Sequence, residues 1–215
     1  NGSVKISFNQ LHQNLFMLNN SIAIAPNTQW KLSDYHLKPS KSNQISMGIF
    51  RNTGKRDLEA SVEVYYKNTD NYPEFKDGAD FLGSSSIEAI VLQGNISAYG
   101  VEFFVKRSNK KLDGWLSYTY SQSIIKVDGL SDWYKINHGM SYPANFDIPH
   151  IFNGVTNYHF SKRLTTSCVV IYQTGKPITL PSSVFYVHEL PVINYSHRNE
   201  YRIPDYFRVD ASLNL

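Results

Sequence analysis

Polar and apolar residues alternate along most of this chain, and little of it follows the 3.6-residue period of a helix. The alternation is sharpest between Asp57 and Lys67. Leu58, Ala60, Val62, Val64 and Tyr66 fall on one side, while Asp57, Glu59, Ser61, Glu63 and Lys67 fall on the other; Tyr65 alone breaks the polar row. Successive side chains of a strand point to opposite faces, so this segment makes a β-strand with one apolar and one polar surface. The pattern recurs at Val4, Ile6 and Phe8; at Ile45, Met47 and Ile49; and at Tyr99, Val101, Phe103 and Val105. It recurs again at Leu112, Leu116, Tyr118 and Tyr120, and from Phe207 to Leu215, with Phe104 and Trp115 as further exceptions. Segments 151–160 and 164–174 are β-rich but alternate less cleanly. This predicts about eight strands, most of about 8–13 residues, where a tilted membrane-crossing strand needs about 9–11.

The connections carry as much information as the strands. Three are very short, at 52–56, 108–110 and 161–163, and they alternate strictly with long ones at roughly 14–43, 68–93, 126–148 and 175–204. Tight turns at one end and long loops at the other are typical of an outer-membrane β-barrel. Rings cluster near both ends of the strands: Tyr65, Tyr66, Tyr118, Tyr120 and Tyr172 toward the long loops, and Phe50, Phe103, Tyr158 and Phe160 toward the short turns. Such belts suit the two lipid–water interfaces. Periodicity alone fits two readings. A water-soluble sandwich turns its apolar faces inward, and a membrane barrel turns them outward to lipid. The expected fold is therefore an all-β, antiparallel, up-and-down transmembrane barrel segment, with a soluble aromatic-rich β-sandwich that binds carbohydrate as the alternative.

Composition narrows the function classes. Lys and Arg number 21 against 18 Asp and Glu, a net charge of +3, too even to point to nucleic acid. Charged residues make up 18% and aromatic residues 14%, with 15 Tyr and 12 Phe. Mean hydropathy is −0.36, and no apolar run is long enough for a transmembrane helix. The lone Cys168 excludes an internal disulfide framework and a cysteine-built zinc site. The chain starts at Asn1 without an initiator Met or signal peptide, which reads as a mature product or an excised segment.

Six stretches are similar to the C-terminal barrel region of TonB-dependent outer-membrane receptors. They are HLKPSKSNQISMGIFRN (36–52), EASVEVYYKNTDNYPEFKDGA (59–79), AYGVEFFVKRSNKKLDGWLSYTYSQS (98–123), INHGMSYPANFDIPHIFN (136–153), YQTGKPITLP (172–181) and RNEYRIPDYFRVDASLNL (198–215). The resemblance covers essentially the whole chain. It implies one part (1–215) of a barrel of about 22 strands with a plugged lumen. On this reading the sequence is a fragment without the plug, the TonB-engaging motif and the final strands. It also implies the outer membrane of a Gram-negative bacterium, with uptake of a small nutrient (a glycan, peptide or metal chelate). The implied partners are outer-membrane lipid, the TonB energy-coupling complex acting through the missing N-terminal part, and a surface lipoprotein.

No motif points to an enzyme or a resident cofactor. The seven histidines show no HxH, HxxxH or HExxH spacing, and GxSxG, the P-loop and GxGxxG are absent. Residues 77–88 begin like a calcium loop, but Ala79, Phe81 and Leu82 stand where oxygen ligands and a turn glycine are required. Glu59, Glu63, Glu102, Asp113, Arg208 and Asp210 read as polar-face residues of neighbouring strands rather than as acid–base pairs. Binding chemistry in barrels lives on loops. The expected ligand contacts are Trp133, Tyr134, His138 and Tyr142 in loop 126–148, with Tyr186, Tyr201 and Arg202 in loop 175–204.

Overall fold

The computed structural model describes residues 1–18, 29–54, 57–77, 89–161 and 163–215. Lys55, Arg56 and Lys162 of the short turns, and 78–88 of the calcium-like stretch, lie outside them. Fifteen strands follow in chain order: β1 (Gly2–Gln13), β2 (Leu15–Leu18), β3 (Gln29–Leu32), β4 (Ser40–Thr53), β5 (Leu58–Phe75), β6 (Val91–Ser108), β7 (Leu112–Lys126), β8 (Tyr142–Pro143), β9 (His150–His159), β10 (Thr165–Gln173), β11 (Pro177–Ile178), β12 (Pro181–Val187), β13 (Leu190–Tyr195), β14 (Tyr201–Arg202) and β15 (Tyr206–Asn214). Eight of them form one antiparallel meander in the order β1-β4-β5-β6-β7-β9-β10-β15. Every neighbour in this wall is the next long strand in the sequence, as up-and-down topology requires. The sheet is open: in the described residues β1 pairs only with β4, and β15 only with β10.

Register carries the alternation across the whole wall. One continuous row reads Val4, Ile49, Val62, Phe103, Tyr118, Phe152, Tyr172, Phe207, and the next begins Ile6, Met47, Val64, Val101, Tyr120. These apolar rows are not a dry interior. Ile6 is 71% exposed, Val64 42% and Leu213 62%. The opposite face carries Lys5, Gly48, Glu63, Glu102 and Thr119 in one row. A greasy face this wide, left uncovered, matches the lipid-facing surface of a membrane barrel and not the packed inner face of a sandwich. Among the described residues no helix is long and apolar enough to cross a membrane.

The ring belts are only partly outward. Tyr66, Tyr99, Tyr158 and Phe160 flank the apolar band, but Phe50 and Tyr65 sit in polar-face rows beside Ser61 and Gly100. Glycine makes room for both rings. A Cβ on Gly48 would meet the Phe50 ring at 2.7 Å, and one on Gly100 would meet the Tyr65 ring at 2.9 Å.

Strands and loops differ in length from the expectation at the long-loop end. β5 and β6 run 18 residues each, so the connection expected at 68–93 shrinks to 76–90. Asn, Asp and Pro within 68–73 read as strand breakers, yet pairing continues through them because a β-bulge absorbs the irregularity. Thr69 pairs with Ile96 and Tyr72 with Gly94, leaving Asp70 and Asn71 opposite the single Asn95. Asn71 takes the left-handed φ of 55° that the bulge needs. Below the bulge odd-numbered residues such as Lys67 face the polar side; above it Tyr72 and Glu74 do.

The packed cores also lie at this end. Leu92, Ile96, Ile125, Val127, Ile136, Tyr142 and Ala144 form one buried cluster with Tyr72 against it, and Phe16, Leu18 and Leu37 form another beside Phe75 and Val91. The wall is held by its ladder and its surroundings, and the loops by these cores.

Candidate functional site

A cavity of about 880 Å³ opens on the polar face where the wall strands outrun the apolar band. Its floor comes from the strands: Ser42, Lys67, Thr69, Ile96, Ala98 and Ser123. Phe16 and Met17 of β2, Asn145 and Phe146 before β9, and Thr179, Arg198 and Asn199 before β15 close its sides. Tyr72 and Glu74 reach it because the bulge re-aims them. The volume falls within the range of small-molecule sites, and the lining mixes aromatic walls with convergent polar groups.

Two ionic joints hold the long loops over this floor. Arg198 forks between strands: one amino group lies 3.0 Å from Glu74 Oε1, and its other nitrogens lie 3.0 Å from Asp77 Oδ1. The Arg198 amide donates to Asn137 Oδ1 at 2.8 Å, and the Asn199 amide donates to Thr179 Oγ1 at 3.0 Å. Burial pushes the Glu74 carboxyl above its ordinary range, and Arg198 pulls it back. The Tyr142 ring lies beneath the Arg198 guanidinium at 5.9 Å. Its hydroxyl is buried and meets neither Glu74 nor Arg198 in hydrogen-bond geometry, and burial, ahead of the Glu74 charge, holds it far above the usual phenol range. In the second joint Arg202 pairs with the buried Asp147 and donates to the Gly175 carbonyl at 2.9 Å. Asp147 in turn accepts the Ser123 amide at 2.7 Å, which anchors both loops to β7.

None of the seven loop residues expected from the sequence lines the cavity. Tyr142 and Arg202 belong to the two joints. Trp133 is 81% exposed, Tyr134 lies under the Lys76 ammonium at 5.4 Å, and His138 sits on a turn at a left-handed φ of 55°. Tyr186 projects from the wholly exposed β12–β13 hairpin, and Tyr201 pairs with Ile178 at the hairpin's base. Lys67, Glu74, Phe146 and Asn199 come to the cavity instead. The signal for Glu74 was local: Asp70-Asn71 before Pro73 marks the bulge that turns it inward.

A face apolar enough for lipid, a polar face with a cavity at the long-loop end, and tight turns at the other end together describe one class of wall. The protein-family model "TonB dependent receptor-like, beta-barrel" matches residues 7–215. Comparison with curated proteins and with solved structures gave no match. With nearly the whole chain covered and the wall's two faces disposed in this way, the chain belongs to the TonB-dependent receptor β-barrel family.

Proposed function

We propose that this chain forms part of the wall and mouth of an outer-membrane receptor that takes up a small nutrient, a glycan, peptide or metal chelate. The family is one of outer-membrane transport receptors. The observation that carries the finer reading is the position of the cavity: on the polar face, beyond the lipid band, beneath loops tied down by Arg198 and Arg202. A ligand arriving from outside meets Trp133, Tyr134, Tyr186 and Tyr201 at the exposed surface before it reaches Phe16 and Phe146. In this reading the energy comes from a TonB complex acting through a plug beyond this chain, and a surface lipoprotein is a candidate partner for the exposed loops.

Ala98 stands on the cavity floor, so Ala98→Trp fills it without touching the apolar face. Cells carrying the wild-type or Ala98→Trp receptor are grown with glycan, peptide or ferric-chelate mixtures as the limiting nutrient. Loss of growth on one mixture in the variant is expected. Equal growth of both strains on all three mixtures, or recovery of the protein in the soluble fraction, overturns the proposal.

A further inference from the structure

Three uncharged or nearly uncharged rows cross the polar face beneath the loops. Leu11, Ser42, Thr69, Ile96 and Ile125 make the uppermost; Asn9, Gln44, Lys67, Ala98 and Ser123 make the next; Ser7, Ser46, Tyr65, Gly100 and Ser121 make the third. Lys67 is the single formal charge in all three. In the described residues no ion pair or side-chain hydrogen bond engages its ammonium. Glu63, the next acid on the same face of β5, is four residues away, roughly 13 Å along the strand and out of contact. The other charged groups at the cavity are spoken for: Arg198 pairs with Glu74, and Asp77 takes its second edge.

A half-exposed cation without an ionic partner on the floor of a site walled by Phe16, Met17, Tyr72 and Phe146 gives that floor a local positive potential. Around it lie neutral donors and acceptors. Ser42 Oγ accepts from Thr69 Oγ1 at 3.0 Å and keeps its own proton to donate. Ser123 and Asn145 also line the space. The complement of this lining is an anionic oxygen at Lys67, flanked by hydrogen-bonding groups, with a flat or apolar body against the rings.

We infer that the cavity takes a ligand carrying a carboxylate, and that Lys67 selects it. The inference rests on the cavity being the ligand site of the proposed receptor. The carboxylate could belong to an acidic saccharide or to a peptide, so the test carries an arm for each. Calorimetric titration of the full-length outer-membrane protein in detergent uses trigalacturonate against its trimethyl ester, and the tripeptide Ala-Phe-Ala against its C-terminal amide.

At least one acid should bind tenfold or more tighter than its neutral partner, on the order expected for a charge-assisted contact. That ratio should fall to within about twofold in Lys67→Gln and persist in Lys67→Arg. On the wild-type protein, needing no variant, the preference should shrink as salt rises from about 0.05 to about 0.5 M. Acid and neutral members binding alike, or a preference that survives in Lys67→Gln, overturns the inference and leaves the receptor reading standing. No binding by any of the four also overturns the inference, and the growth assay with Ala98→Trp then decides the receptor reading. The arm that binds assigns the carboxylate to saccharide or peptide.

Discussion

Replacing Arg198 with Met tests how the long loop before β15 is held over the cavity. The guanidinium and the Glu74 carboxylate are 18% and 20% exposed, and Asp77 is 62% exposed. An exposed pair contributes at most about 1 kcal/mol, whereas breaking a buried one costs about 3–5 kcal/mol because a charge is left without its partner. One-fifth exposure lies between these limits, and Asp77 adds little. The closed loop should lose about 2–3 kcal/mol, roughly a 30- to 150-fold rise in its opening equilibrium. Hydrogen exchange at the Asn199 amide, bonded to Thr179 across the loop, reads that opening directly.

The pH dependence gives the sharper check. In the closed loop burial raises Glu74 above its ordinary 4.5, so protonation favours closure and this group's contribution declines as pH rises from 4.5 through the raised value. Removing Arg198 takes away what opposes that rise. The loss of protection should therefore be largest near pH 8 and shrink toward pH 4.5, and Glu74→Gln in the Arg198→Met background should restore part of it. Equal protection in the wild type and Arg198→Met at pH 8, or the same loss at both pH values, would refute the argument.

Other expected outcomes follow from the faces and joints of the wall. Val64→Arg on the apolar face should lower unfolding free energy in lipid vesicles by about 2–4 kcal/mol in a urea titration, while Thr119→Arg, beside Glu102 on the polar face, should change it by less than about 0.5. A Cβ on Gly175 would fall 1.6 Å from the Ile203 carbonyl oxygen, a backbone clash that cannot be swung aside. Gly175→Ala should cost about 1–3 kcal/mol and expose the segment before β15 to limited proteolysis. Asp147→Ala removes the buried partner of Arg202 and the acceptor of the Ser123 amide, so the loop before β9 should be cleaved at protease levels that leave the wild type intact.

Much of the wall was legible because it depends on a period of two. Val62 and Val64 lie opposite Ile49 and Met47 in registers that the alternation alone implies, and the short turns fall at the ends expected of them. What escaped depended on departures from that period. Tyr65 and Phe50 are apolar enough to read as belt residues, and only the glycines beside them, invisible as partners in the linear sequence, reveal room for rings on the polar side. The β12–β13 hairpin turns at His188 and Glu189, both at positive φ, without the Asn-Gly or Gly-Gly pair that marks such turns. The cavity was the least legible part. Lys67, Phe146 and Arg198 are brought together by three loops and a bulge, and long-range assembly leaves no local pattern.

The extra residue at Asn71 also fixes the mouth against the membrane. Because two positions of one ribbon are committed to a single partner, Asn95, the neighbouring ribbons cannot slide past one another by one step without undoing that match. A slip of that size would swing Val62 and Val64 to the watery side and Glu63 into oil at the same moment. The kink thus works as a detent: the depth at which the protein sits in its bilayer and the direction in which Tyr72 and Glu74 point are set by the same mismatch. A deletion at Asn71 would leave Asp70 alone opposite Asn95 and Tyr72 still opposite Gly94, so the stop would vanish while those two side chains kept facing the cavity.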